Sequence, residues 1–149
     1  MEKFNLESCI MYTTNTNARL FRNVLSNRLK GSGLTYNMWL TLYYINKKKS
    51  ISQNKLAKLV GITGPSMVKI VEKLEENGWI EKQPSKEDHR FKRINLTDAG
   101  DRKYQQALDK VIDFQDSMTS GISQSELDTM NSVFNKLTKN ARRELDNNL

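Results

Sequence analysis

Along most of the chain apolar residues return every three or four positions, the spacing that gathers them on one face of an α-helix. Between Trp79 and Leu96 the period shortens to two, as in half-buried strands. The expected fold class is therefore mainly α, with a single β-hairpin near the middle. From about Asn5 to Lys30, the residues Leu6, Ile10, Leu20, Phe21, Val24, Leu25 and Leu29 predict one long helix. Its weak part is Thr13-Thr14-Asn15-Thr16-Asn17, where polar and β-branched side chains compete with helical backbone bonds. Gly31-Ser32-Gly33 should stop it, and Thr35 is placed to cap a second helix carrying Met38, Trp39, Leu42, Tyr43 and Ile45 up to Lys47-Lys48-Lys49.

Ser52 can cap a short helix from Gln53 to Val60, apolar at Leu56, Leu59 and Val60, and Gly61 supplies a turn. Thr63 then caps another helix, with Pro65 in its first turn, where no intrahelical donor is lost. On that helix Met67, Val71 and Leu74 form an apolar face that Val68 and Ile70 widen, leaving Pro65, Ser66, Lys69 and Lys73 on the other side. Asn77-Gly78 ends it. A strand is expected from Trp79 to Lys82, a charged turn from Pro84 to Arg90, and a returning strand from Phe91 to Leu96 with Ile94 and Leu96 on one face.

Thr97 can cap a long helix from about Asp98 to Ser120, striped by Tyr104, Ala107, Leu108, Val111, Phe114 and Met118 and closed by Gly121. Ser123-Gln124-Ser125-Glu126 is a capping box opening a last helix with Leu127, Met130, Phe134, Leu137, Ala141 and Leu145 at three- and four-residue steps. The whole, residues 1–149, reads as a single domain. Its centre, 34–100, has the order of a winged helix-turn-helix with a two-stranded β-wing. The flanks, 1–33 and 101–149, are striped helices that the central unit cannot cover, and pairing with a second chain would bury them.

Charge narrows the partners. Lys and Arg number 24 against 17 acids, a formal +7, which favours a polyanion such as nucleic acid. One cysteine, Cys9, and one histidine, His89, make neither an intrachain disulfide nor a nitrogen- and sulfur-rich metal site, so no metal and no cofactor is expected. No stretch has the apolar length of a signal core or membrane span, and a cytoplasmic protein without membrane attachment is expected. Enzyme chemistry lacks parts: there is no phosphate loop or nucleophile elbow, and the lone imidazole lies in a charged turn. No catalytic residue is assigned.

DNA binding has its parts. Small residues at a helix start let the backbone approach base edges, so Thr63, Pro65, Ser66, Lys69 and Lys73 are the candidate major-groove set. Arg90 suits a narrow, electronegative minor groove, with Asp88 able to orient its guanidinium and His89 beside it. Lys86 and Lys92, with Lys82 and Arg93, would meet phosphates, or else only solvate the hairpin. A winged-helix module that binds a protein instead of DNA is the alternative.

Leu74-Glu75-Glu76-Asn77-Gly78-Trp79-Ile80-Glu81-Lys82, then Asp88-His89-Arg90 and Ile94-Asn95-Leu96-Thr97-Asp98-Ala99-Gly100, resembles the MarR family of bacterial transcription regulators. Leu34 to Leu42 and Pro65-Ser66-Met67-Val68-Lys69 are most similar to its SlyA branch. The resemblance implies a homodimer of winged helices reading a palindromic operator in double-stranded DNA, with Pro65, Ser66, Lys69 and Arg90 at the contact. Lys69 and His89 stand where SlyA-like chains usually carry arginine, which bears on bidentate recognition and on pH dependence. It also implies a small aromatic or phenolic effector, for which Phe21, Tyr36, Trp39 and Tyr43 are candidates. Some relatives sense oxidants through an N-terminal cysteine. Cys9 stands in a shifted register, which favours an inert thiol.

Overall fold

A computed structural model of the protein describes residues 4–86 and 92–147. Within them the helices are α1 (Ile10–Leu29), α2 (Tyr36–Lys48), α3 (Gln53–Val60), α4 (Gly64–Glu76), α5 (Asp98–Thr119) and α6 (Gln124–Asn147). Two strands, β1 (Ile80–Pro84) and β2 (Lys92–Leu96), lie between α4 and α5. The mainly helical winged architecture expected from the period change is present.

The N-terminal segment differs from its expected single helix. A 3-10 turn over Leu6–Ser8 comes first, and Cys9, extended at φ −66° and ψ 121°, separates it from α1. The polar run Thr13 to Asn17 lies inside α1 without a break. Its side chains are exposed or half-buried, so they solvate one surface of a helix that is held by Leu25 and Leu29 at its other end. At Thr35 and Thr63 the hydroxyls accept the N–H groups of Met38 and Ser66, as their cap positions require. Ser52 occupies the cap position of α3, but its side chain makes no capping bond.

Beyond α4 the wing is longer than the alternation predicts. Pro84, assigned to the turn, pairs with Lys92 and extends β1 past Lys82. It can do so because β1 is an outer strand: β2 has β1 on one side and a bridge to Ile51 on the other, leaving β1 an unpaired edge where a missing N–H costs little. Ile51 and Ile94 exchange both backbone bonds, at 3.2 and 2.8 Å, and both side chains are buried.

Thr97 ties the wing to the end of α4. Its hydroxyl donates to the Gly78 carbonyl at 2.6 Å and accepts the Gly100 N–H at 3.0 Å, while its own N–H reaches the Trp79 carbonyl at 3.1 Å. Gly100 is buried with Trp79 against it; a Cβ there would overlap the Trp79 carbonyl.

The chain divides into two compact units, Met1–Phe114 and Gln115–Leu149. The first holds the buried core: Leu25 and Leu29 of α1, Met38, Leu42 and Ile45 of α2, Leu56 of α3, Met67, Val71 and Leu74 of α4, Ile80, Ile94, Tyr104 and Ala107. Burying a Leu- or Met-sized side chain contributes about 2 kcal/mol. Val68 departs from the apolar face assigned to it: it is 38% exposed, and Ile70 is only half-buried. In the second unit α6 buries none of its residues, and Met130, Val133, Phe134 and Leu145 stand at 40–69% exposure. Among the described residues no helix is long and apolar enough to cross a membrane.

Candidate nucleic-acid interface

Helices α3 and α4 pack against each other, with Leu56, Met67, Val71 and Leu74 all buried in the common core, and are joined by a turn that needs Gly61 at φ 77°. Because the anchors Met67, Val71 and Leu74 fix the rotation of α4, with Ile70 packed half-buried beside them, its exposed residues form one solvent face. Pro65, Lys69, Glu72 and Glu76 follow each other along it at three- and four-residue steps, with Val68 on the flank beside Lys69, all exposed.

Of the sequence candidates, Thr63, Pro65, Ser66, Lys69 and Lys73 all lie on this helix or at its cap and are exposed. Thr63 Oγ1 donates to Ser66 Oγ at 2.9 Å and accepts the Ser66 N–H at 3.4 Å. This arrangement holds Ser66 Oγ in place and leaves its own proton available to an external acceptor. Lys73 Nζ is 3.7 Å from Glu76, both exposed, a pairing too weak to hold the ammonium against a phosphate. The charge along the face is graded: Glu72, Glu75 and Glu76 crowd the C-terminal half, whereas the first two turns carry only Lys69. A polyanion is therefore admitted at the N-terminal end, where the helix dipole also favours it.

On the wing, Lys86, two residues past β1, and Lys92, the first residue of β2, are exposed, and Asp88, His89 and Arg90 lie outside the described residues. Lys82 is paired within the chain: its ammonium is 2.7 Å from Glu75, and its side chain is mostly covered. Arg93 and Lys86 instead share a cavity of about 390 Å³ with Ser50, Gln83, Pro84, Ser85 and Asn95.

The aromatic candidates lie on α1 and α2. Trp39 is buried beside Tyr43, ring centres 5.9 Å apart, and Tyr36 carries the Arg22 guanidinium 5.2 Å above its ring. Phe21 is 48% exposed on α1. The Trp39 indole N–H is buried without an acceptor among the described residues. Sequence reading missed Arg22, since its partner ring is on another helix, and missed the exposure of Val68. The signal for Val68 was its offset from the line through Met67, Val71 and Leu74.

Residues 32–90 match the sequence model of the MarR family. The match, over the segment that builds α2, α3, α4 and β1, supports membership of that family. Solved MarR-type structures share the fold over nearly the whole chain. MepR from S. aureus, solved with DNA, superposes with a TM-score of 0.80 at 20% identity, covering 91% of this chain and 98% of that one. A mutant MarR from E. coli complexed with operator DNA gives 0.78 at 19%, over 91% and 99%. BpsR from Bordetella bronchiseptica, whose DNA binding is regulated by 6-hydroxynicotinic acid, gives 0.82 at 13%, over 92% and 98%.

Proposed function

We propose that this chain is a MarR-family transcriptional regulator, nearest the SlyA branch in its recognition-helix sequence, that binds palindromic double-stranded DNA as a cytoplasmic homodimer. The observation that carries the reading is the solvent face of α4, whose first two turns are exposed, small-residued and free of acids. In this reading Ser66 and Lys69 meet base edges, Thr63 and Lys73 meet phosphates, and Pro65 lets the helix start approach closely. The wing follows the backbone through Lys86 and Lys92, with His89 and Arg90 at the minor groove and Asp88 steering Arg90. Residues 1–33 and 101–149 pair two copies at half-site spacing.

An effector reading rests on α1 and α2. The buried, unaccepted Trp39 N–H and the Arg22 cation over Tyr36 are donors of the kind an aromatic carboxylate needs, with Phe21 and Tyr43 as apolar walls. Regulation by 6-hydroxynicotinic acid in BpsR is the precedent within the shared fold.

Genomic footprinting of the purified protein gives the bound sites, and binding to such a duplex is then followed against salt. A specific duplex should lose affinity steeply as salt rises, because neutralised phosphates release counterions. Lys69→Ala is expected to relax base preference or flatten that slope. Equal affinity for all duplexes, or a variant unchanged on both measures, would refute the reading.

A further inference from the structure

The exposed valine on α4 lies outside the hydrophobic core and the apolar residues packed against it. Val68 is 38% exposed, although its neighbours Met67 and Val71 are fully buried. It occupies the acid-free N-terminal half of the solvent face, next to Lys69 and one turn after Pro65. An isopropyl group in that position can make no hydrogen bond to a base or a phosphate. The major groove offers it one apolar feature, the C5-methyl of thymine, which distinguishes T·A from every other base pair. We propose that Val68 is a specificity-determining residue that packs on a thymine methyl in each half-site. This rests on the DNA-binding reading above and assigns it a base.

The charge pattern supports that occupant. Val68 lies beside Lys69, while Glu72 is one turn further on, so a groove that receives Lys69 must bring its bases past Val68 before acid repels the backbone. A methyl contact also supplies discrimination that the flexible ammonium of Lys69, a point charge without the planar fork of arginine, does not.

Deoxyuridine differs from thymidine only by that methyl, and so provides the test. Each thymine of a footprinted duplex is replaced in turn, symmetrically in both half-sites, and affinity is measured for the wild type, Val68→Ala and Val68→Thr. For the wild type one position should weaken binding by about fourfold per half-site, the change that corresponds to one buried methyl group. Val68→Ala should bind the thymine and uracil duplexes equally, while Val68→Thr, which keeps one methyl, should retain part of the preference. Circular dichroism melting confirms that the variants remain folded, as expected for a side chain this exposed.

The proposal is overturned if the wild type binds its duplex specifically but tolerates every uracil, or if Val68→Ala keeps the same sensitivity. Absence of any specific duplex for the wild type would instead overturn the DNA-binding reading itself.

Discussion

Gly100 and Gly64 show how differently two glycines of one chain are constrained. A methyl at Gly100 would overlap the Trp79 carbonyl, in the corner where Thr97 binds both Gly78 and Gly100. Neither partner is the end of a flexible side chain, so the backbone of the wing must move. Gly100→Ala is expected to lower stability by about 3 kcal/mol, near the upper end for overpacking. At Gly64, the first residue of α4, an added Cβ meets nothing within 4 Å, and its φ is not in the left-handed region. Gly64→Ala should change stability by no more than about 1 kcal/mol, because the gain in helix propensity is opposed by the crowding of a Cβ against the ring of Pro65. Paired urea melts separate the two, and similar midpoints would contradict this account of the corner. Leu-Thr-Asp-Ala-Gly was readable as a strand end followed by a helix cap, yet nothing local in it shows that Gly100 touches Trp79, twenty-one residues earlier in the chain.

At the scale of elements, boundaries were legible where a cap marks them and less so where pairing does. α3 runs from Gln53 to Val60 as expected, since Ser52 and Gly61 bracket an amphipathic run. β1 runs past its expected end, because its length is set by how far β2 continues opposite it. The capping box of α6 is present: Glu126 accepts the Ser123 N–H and hydroxyl, both at 2.8 Å, and Ser123 Oγ accepts the Glu126 N–H at 3.2 Å. The backbone bond from Ser123, followed by its side-chain bond, holds the Glu126 carboxyl below its ordinary pKa. A lowered folded-state value means the cap contributes fully above the usual glutamate range. The contribution fades as pH falls through that range toward the depressed value. Amide exchange at Ser123 and Glu126 should therefore accelerate on acidification, relative to the middle of α6. Glu126→Gln should remove the pH dependence, and a variant with the wild-type acid response would show that another group controls this end.

For the whole molecule the unresolved apolar surface is on the flanking helices. α1 exposes Ile10, Met11, Leu20 and Phe21, and α6 exposes Met130, Val133, Phe134 and Leu145. Under the proposed dimer these faces meet a second copy, since exposed apolar area of this extent is uncommon on a monomer. Phe134→Asp should shift sedimentation toward monomer at micromolar concentration and reduce operator affinity by at least tenfold. The near-ultraviolet signal of the Trp39 and Trp79 environments should stay unchanged. A variant that sediments like the wild type would take Phe134 out of the interface.

Apart from the 3-10 turn before α1, what the sequence determined by itself was the order and type of elements, because periodicity, caps and glycines act over a few residues and require no knowledge of distant chain. It also determined the N-terminal cap and the buried line of α4, from Met67 through Val71 to Leu74. Tertiary structure decided rotation and pairing. The burial of those three anchors in the common core turned Val68 outward, the length of β2 extended β1 to Pro84, and Glu75 drew Lys82 away from the wing's outer surface. Each depends on a partner far along the chain, and a local pattern carries no record of it. The solvent face of α4 was therefore half readable: Lys69 by its charge, Val68 only by its exposure.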